Sequence, residues 1–291
     1  MTDRAASPIT LGADSNRLAY SGRVLQPSLQ ARATRRWGWW LYAEYRLMNM
    51  RAYLQTILIR SIGLPLLYLS SMGLGLGSLV DSGAGGVDGV SYLVFVGPGL
   101  LVSSIVMEAT GEFTFPVMSG FKWQKHYYAA AAAPLTPAQI ALGEVTAVGL
   151  RFVAETAIFW LALLAFGAVT SPASWLVVLI APLAAMAFGA PLLAYAATLT
   201  GEGAQFAFIQ RFVVMPMFLF AGTFFPLAAM PPYLQWIGWV SPMWHGTQLA
   251  RVVCYGMANP WWLTLLHLAV LVGCTVGGVW WAIRVFTRRL T

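Results

Sequence analysis

Charged residues are scarce in this sequence, and so are the residue types that bind metals or carry out catalysis. Asp, Glu, Lys and Arg make up 9% of the 291 residues, whereas a soluble domain carries roughly 25%. The 2 cysteines and 3 histidines show none of the spacings of a metal site. No Ser/His/Asp set or carboxylate pair suggests chemistry. We therefore expect no catalytic residues, no metal and no enzyme activity of the chain itself.

A nucleotide-binding loop is missing as well. ATP hydrolysis by a phosphate-cradling loop needs G-x-x-x-x-G-K-[ST], and this pattern occurs nowhere in the sequence. The glycine-rich stretch GAGGVDG at 83–89 contains no lysine, so we interpret it as a flexible connection. We expect this chain to bind no cofactor. If ATP drives the protein, ATP and magnesium bind to a separate ATPase chain.

Long apolar stretches, by contrast, are abundant. Hydrophobic residue types make up 59% of the chain and form six long stretches between positions 57 and 286. A helix of about 20 apolar residues crosses the ~30 Å hydrocarbon layer of a bilayer. The sequence therefore predicts an all-α membrane protein with six transmembrane helices. Their expected bounds are 57–80, 91–115, 140–169, 174–200, 206–229 and 261–286.

The positions of the basic residues predict how the chain lies in the membrane. Eight arginines precede the first apolar stretch, and two more close the chain. Lys122 and Lys125 lie between the second and third stretches, whereas the loop 81–90 holds two aspartates and no basic residue. Because positive residues accumulate on the cytoplasmic side, we expect both termini to be cytoplasmic. Topology and contact with anionic lipids then explain the net charge of +7, and nucleic-acid binding is not expected.

The N-terminal region divides into two parts. Residues 1–34 are polar and rich in Ser, Ala and Arg, which predicts a disordered cytoplasmic tail without the apolar core of a signal peptide. Residues 35–55 interleave aromatic and basic side chains, a pattern typical of a helix in the headgroup plane. We expect an interfacial helix there. The alternative is a cytoplasmic helix docked on the helix bundle.

The loop 120–138 is the first candidate functional region. It reads GFKWQKHYYAAAAAPLTPA, with an aromatic and basic cluster, five alanines and then two prolines. Alanine favours a helix and proline ends one, so we expect a short cytoplasmic helix over 123–133. Such a helix suits the docking of a soluble partner that moves, and a plain interfacial helix is an equal alternative. The residues predicted to dock are Trp123, Lys125, His126, Tyr127 and Tyr128.

Five charged residues fall inside the second and third apolar stretches, where each is costly. Glu144, Arg151 and Glu155 are spaced i, i+7, i+11 and share one helix face, and Glu108 and Glu112 share another. We interpret them as buried ion pairs, in which Arg151 meets Glu155 or Glu108. A polar lining of a substrate path is the alternative.

The stretch 225–262 is dense in proline and aromatic residues. It is too broken to span a membrane and too apolar to be a free loop. Irregular backbone at membrane depth is tolerated where protein buries it. We therefore expect two re-entrant half-helices that close the outer end of the bundle.

Two runs of sequence resemble a known family. FVGPGLLVSSIVMEATGEFTF with KHYYAAAAAPLTPAQIALGEV, and later PMFLFAGTFFPLAAMPPYLQWIGWVSPMWHGTQLARVV, resemble the permease subunit of ABC-2 type exporters. Within that family the resemblance is greatest to the branch of the nodulation-factor export and daunorubicin-type permeases. It covers roughly residues 35–289 and implies one transmembrane domain over 35–291, and the long N-terminal tail is a departure from it.

This resemblance implies a function and partners. The chain would be the permease of an ATP-driven exporter in the bacterial inner membrane, and 123–133 would be the coupling helix that binds the ATPase. Two ATPase copies and a second permease copy, or a sister permease, would complete the complex. Family members move lipids, oligosaccharide conjugates or amphiphilic drugs. The alternative is an ATP-independent secondary carrier with an ion-coupled site at Glu108, Glu144 and Arg151, although the internal repeats typical of such carriers are not evident.

The fifth stretch predicts the nature of the path. It is rich in aromatic and Met side chains and holds no deep charged cluster, and such walls suit an amphiphile better than an ion or a sugar. We therefore expect an amphiphilic substrate to pass between two permease copies along this stretch. The residues predicted to line the path are Met215, Met217, Phe218, Phe220 and Phe224.

Overall fold

The computed structural model describes residues 27–53, 55, 59 and 63–291. Helices dominate this part of the chain, and its only strand-like pairing is an isolated bridge between Val87 and Val90. The first half contains α1 (Pro27–Arg51), α2 (Leu64–Tyr68), a π-helix (Leu69–Leu76), α3 (Gly77–Ala84), α4 (Tyr92–Glu112), α5 (Phe115–Lys122), α6 (His126–Ala132) and α7 (Pro137–Ala165). The second half contains a 3-10 helix (Pro172–Leu176), α8 (Val177–Thr198), α9 (Ala204–Ile209), a π-helix (Gln210–Val214), α10 (Met215–Phe220), a 3-10 helix (Leu227–Ala229), α11 (Pro232–Val240), α12 (Pro242–Tyr255) and α13 (Trp261–Leu290).

The all-α membrane class predicted from the sequence is confirmed. In the described part of the chain, four helical segments are long and apolar enough to cross a membrane. Part of the predicted first span, residues 57, 58 and 60–62, lies outside the described residues. The count of six spans therefore stays a prediction. The four segments are Tyr92–Lys122, Pro137–Ala165, Pro172–Thr198 and Trp261–Leu290.

The predicted fifth span is shorter in the structure than in the sequence analysis. The helix runs without interruption from Ala204 to Phe220, through α9, the π-helix and α10. It contains 17 residues, whereas the sequence predicts a span over 206–229. The helix ends because Gly222 takes φ +74°, a left-handed conformation that cannot continue it. Apolar composition alone did not reveal this end, since the residues that follow are equally apolar.

The N-terminal boundary also differs from the prediction. α1 begins at Pro27, so residues 27–34 are helical and do not belong to a disordered tail. The rest of the predicted tail, 1–26, lies outside the described residues. α1 packs along α7 with Tyr42 and Ala43 buried, while Trp37 and Trp40 stay exposed. The helix therefore docks on the bundle and still presents aromatic side chains outward.

The core of the bundle is formed by α4, α7, α8, α12 and α13. α8 is central, since it packs against each of the other four. Small residues allow the closest approach: a Cβ on Gly278 of α13 would lie 2.4 Å from Pro191 of α8. Such contacts between small residues are the usual means of holding membrane helices together. The two short helices expected near the end of the chain are present as α11 and α12, separated at Ser241, and α12 packs into the bundle beside α4, α8 and α13.

Candidate functional site

The short helix predicted in the basic loop is present as α6, His126–Ala132. It begins three residues later than predicted because Lys125, at φ +54°, turns the chain immediately before it. Trp123 and Tyr128 are 53% and 40% exposed, and Lys125 is exposed beside them. We call Trp123, Lys125 and Tyr128 the α6 surface. It combines two exposed aromatic rings with one positive charge.

Tyr127 lies on the opposite side of α6 and is buried. Its ring centroid lies 4.5 Å from that of Phe121 and 5.1 Å from that of Phe286, so it fastens α6 to α5 and α13. Burial raises the pKa of the Tyr127 hydroxyl, which stays neutral. Of the five residues predicted to dock a partner, Tyr127 is therefore directed into the protein. His126 is half-buried; its burial and the nearby Arg46 lower its pKa to about 4.

An ion pair close to α6 joins the N-terminal helix to the bundle. Nη2 of Arg46 in α1 lies 2.7 Å from Oε1 of Glu144 in α7, and the Glu144 side chain is 1% exposed. Although burial alone would lower the pKa of Arg46, Glu144 raises it above its usual value, so the guanidinium stays charged. The sequence analysis attributed Arg46 to membrane orientation and missed this pair. Arg46 and Glu144 are 98 residues apart in the sequence, so no local spacing pattern could predict their contact.

Arg151 holds two carboxylates. Its Nε lies 3.0 Å from Glu155 of the same helix, and its Nη1 lies 2.7 Å from Glu112 of α4. The first contact is one of the two partners expected. The second carboxylate is Glu112, where Glu108 was expected. Arg151 and Glu155 are both buried, so this group links α4 to α7 within the bundle.

A cavity of about 650 Å³ brings the two charged groups and the basic loop together. It opens between α1, α4, α7 and the turn before α6. Its polar lining contrasts with the apolar stretches that surround it. The arginine, glutamate and histidine side chains along its wall are Arg46, Glu108, Glu112, His126 and Arg151.

The residues predicted to line the path do not share one face. Met217 is buried, Met215 is 41% exposed, and Phe218 packs against Phe224 with ring centroids 5.3 Å apart. Phe220 and Phe224 are half-buried. The face of the Ala204–Phe220 helix that no other described helix covers instead carries a row of exposed apolar side chains, spaced i, i+4, i+7, i+11. The orientation of the helix in the bundle is needed to identify this face. This exposed row consists of Phe208, Phe212, Met215 and Leu219.

No candidate metal site was found in the described part of the chain, since no three His, Cys, Asp or Glu residues converge there. His245 and His267 do meet, with their Nδ1 atoms 2.6 Å apart in a buried contact between α12 and α13. The sequence alone, in which 22 residues separate the two histidines, did not reveal this pair. At that distance one Nδ1 donates a hydrogen bond to the other, and the contact fastens the two helices together.

Comparison with known proteins gives a consistent match. The family described as ABC-2 type transporter matches residues 40–255. Nodulation protein J of Sinorhizobium fredii (strain NBRC 101917 / NGR234) is 27% identical over 258 residues, which cover 87% of this chain and 94% of that protein. Nodulation protein J of Rhizobium leguminosarum bv. viciae is 30% identical over 220 residues, 71% of this chain and 77% of that protein. The inner membrane transport permease YadH of Escherichia coli (strain K12) is 24% identical over 198 residues, 67% of this chain and 73% of that protein.

Proposed function

Because this chain belongs to the ABC-2 type transporter family, we propose that it is the permease of an ATP-driven exporter whose ATPase, a separate subunit, binds the α6 surface. The observation that carries this proposal is the arrangement of α6. Trp123, Lys125 and Tyr128 are exposed, whereas Tyr127 anchors the same helix to the bundle. An exposed aromatic and basic surface on a rigidly held helix offers a partner both a hydrophobic anchor and charge.

The contacts behind α6 supply a route from the ATPase to the membrane helices. A displacement of α6 would reach α5 and α13 through Tyr127. It would reach α1 through the cavity wall that His126 shares with Arg46, and α7 through the ion pair of Arg46 with Glu144. Packed side chains and ion pairs can pass on a displacement because they have few alternative arrangements. A movement of the bound ATPase would therefore shift α7, which begins five residues after α6 ends.

The substrate in this proposal is an amphiphile that passes between two permease copies. The exposed row on the Ala204–Phe220 helix is entirely apolar, and no other described helix covers it. A second copy, or a sister permease, facing this row would complete an apolar path. The positive-inside distribution supports a cytoplasmic location of α6 and both termini in a bacterial cell. In this proposal the complex contains two ATPases, with ATP and magnesium on each.

The experiment that tests the function is reconstitution of transport. The tagged permease is purified from membranes, a co-purifying ATPase is identified by its Walker motifs, and both are placed in liposomes. ATP-dependent movement of a fluorescent lipid or amphiphilic dye should require both subunits. Uphill transport by the permease alone, driven by a proton gradient, would contradict the proposal and favour a secondary carrier that uses the charged cavity.

A matched pair of variants tests the docking surface. Trp123→Ala with Tyr128→Ala should release the ATPase and abolish transport while the permease stays in the membrane. The control removes two exposed aromatic residues elsewhere, Trp175 and Tyr233, which are 54% and 73% exposed. If both double variants retain the ATPase equally, the α6 surface is not the docking site.

A further inference from the structure

Arg251 is the largest fully buried side chain of the described residues, and it has no carboxylate partner at ion-pair distance among them. It lies in α12 and is 2% exposed. A buried guanidinium without hydrogen-bond partners would be strongly destabilising, so the groups that satisfy it indicate what it is for. Those groups are backbone carbonyls, and they belong to other elements of the fold.

The carbonyls that bind Arg251 lie just beyond the end of the Ala204–Phe220 helix. Nη2 donates to the carbonyl oxygen of Gly222 at 2.7 Å and to that of Thr223 at 3.3 Å. Nε donates to the carbonyl oxygen of Phe95 in α4 at 3.4 Å, and the guanidinium carbon lies 3.7 Å from the centroid of the Phe95 ring. One nitrogen, Nη2, thus binds two consecutive carbonyls after the Ala204–Phe220 helix, while Nε at the other side of the same planar group binds α4 and the guanidinium lies over the Phe95 ring. A lysine ammonium carries its donors on a single atom and could not reach both elements in this way.

Two further side chains of α4 hold the same short segment. The Tyr92 hydroxyl donates to the carbonyl oxygen of Phe224 at 3.1 Å, and the hydroxyls of Ser103 and Thr223 lie 2.7 Å apart. Between them, Gly99 leaves the space for this approach, because a Cβ there would lie 2.9 Å from the Thr223 carbonyl oxygen. Residues 222–224 are therefore held at three consecutive positions, by Arg251, Ser103 and Tyr92.

The helix that this segment terminates is held much more weakly along its length. Its exposed row leaves Phe208 60% and Phe212 65% exposed, and its middle turn is π-helical. A cation near the C-terminal end of a helix is also stabilised by the negative end of the helix dipole. Packing holds the start of the helix, where Phe206 is buried against Phe115, whereas hydrogen bonds from Arg251, Ser103 and Tyr92 hold the segment that follows its end.

We propose that Arg251 is a positioning residue for export: by holding residues 222–224 it fixes the end of the Ala204–Phe220 helix that carries the apolar path. The role of this helix as the path rests on the proposed function. The anchoring itself concerns the permease alone and is testable without an ATPase. Arg251 touches no substrate in this proposal and acts only through the helix it holds.

The first test is hydrogen–deuterium exchange of the full-length permease in lipid nanodiscs. Arg251→Lys should raise the exchange of peptides that cover 204–229 and leave those of α7 and α8 unchanged. Tyr92→Phe, which removes one hydroxyl and keeps the ring, should raise it in the same region to a smaller extent. Arg284→Ala removes an exposed arginine from α13 and serves as the matched control.

The outcomes separate a positioning role from a purely structural one. An increase throughout the protein, or none at all in both variants, would overturn the proposal. Normal exchange in Arg251→Lys would also overturn it, because a single positive charge would then be sufficient and the fork unnecessary. If Arg251→Lys fails to fold, Tyr92→Phe and Ser103→Ala still test the anchor. Each must raise the hydrogen exchange of peptides that cover 204–229 and of no other region.

The second test uses the complex of permease and ATPase. The probe is an amphiphilic dye incorporated into lipid vesicles. Arg251→Lys should lower the stimulation of ATP hydrolysis by the dye and leave the unstimulated rate unchanged. Loss of the unstimulated rate of ATP hydrolysis would mean that Arg251 is needed for ATPase docking or for folding, and it would contradict a positioning role. If hydrogen exchange rises selectively over 204–229 but no ATPase partner exists, the anchoring by Arg251 is supported and the proposed function is wrong.

Discussion

Two buried arginines and a partly buried one find their partners in three different ways, and this difference decides which of the contacts can be predicted from the sequence. Arg151 and Glu155 are four residues apart on one helix, a spacing that predicts their contact directly. Arg46 meets Glu144 only because α1 packs on α7. Arg251 binds carbonyls, which every residue possesses and which no sequence pattern marks. Local pairs could be predicted, whereas pairs that depend on which helices are neighbours could not.

Removing the Arg151 side chain should destabilise the bundle. Arg151→Ala leaves Glu112 and Glu155 without their cation in a poorly solvated site, and breaking a buried pair in this way costs roughly 3–5 kcal/mol. The thermal unfolding midpoint of the purified permease should fall. Adding Glu155→Gln or Glu112→Gln to Arg151→Ala should recover part of the loss, because each removes one uncompensated charge.

Glu108 provides the matched control for this experiment. It lines the same cavity, and the ion pairs at 2.7 and 3.0 Å join Arg151 to Glu112 and Glu155, so Arg151→Ala with Glu108→Gln should recover less than either of the other two double variants. Equal recovery from all three would mean that the carboxylates act as one diffuse negative region. No recovery from any of them would show that Arg151 stabilises the bundle through packing instead.

The stability of the permease should depend on pH through His126. Its pKa in the folded protein is about 4, below the value of roughly 6.5 for a free histidine. The unfolded state therefore binds the proton more readily, and the His126 contribution to stability is complete above pH 6.5 and lost as the pH falls toward 4. The unfolding midpoint should decrease between pH 7 and pH 5.

His126→Gln keeps a polar side chain and removes the titration, so its unfolding midpoint should change less over the same pH range. His245 and His267 are present in both proteins, and the difference between the two curves isolates His126. Parallel curves would show that His126 remains neutral or charged equally in the folded and unfolded states.

At the scale of elements, composition predicted where helices exist, and backbone conformation decided where they end. The alanines produced α6, but Lys125 at φ +54° moved its start from 123 to 126. The apolar fifth stretch produced a helix that Gly222 ends early. Hydrophobic composition predicts that a segment is buried, but it cannot distinguish a helical segment from an equally apolar segment that is not helical. The exposed row was missed for a related reason, since it depends on which face of the helix is left uncovered.

Breaking α6 should separate the ATPase from the permease. Ala130→Pro removes a backbone N–H inside a helix of 7 residues and costs about 3 kcal/mol locally, enough to unfold so short an element. ATPase binding and coupled transport should be lost while membrane insertion is retained. Ala130→Ser, which a helix accepts, should bind the ATPase normally, as measured by co-purification. Normal coupling in Ala130→Pro would show that the loop acts without a helix.

In the molecule as a whole, the two proposed regions contact the same helix bundle at different ends. The α6 surface and the charged cavity lie at the end that the positive-inside rule predicts to be cytoplasmic, and Arg251 lies in α12, near the other end of the Ala204–Phe220 helix. The bundle between them is tightly packed around α8. In the proposed function, a docked ATPase would therefore move one end of a rigid bundle while Arg251 holds the Ala204–Phe220 helix at the other end.

The exposed row should face a second permease copy. In a background in which Cys254 and Cys274 are replaced by alanine, Phe212→Cys should form a disulfide-linked dimer in membranes on mild oxidation, because the row lines the path between the two copies. Val276→Cys on α13 is the matched control; Val276 is similarly exposed, at 62% against 65% for Phe212, but it lies outside the row. Cross-linking should stop dye-stimulated transport in the first variant alone, and a reducing agent should restore it. A dimer formed only through Val276→Cys would place the path on α13 and contradict the proposed seam.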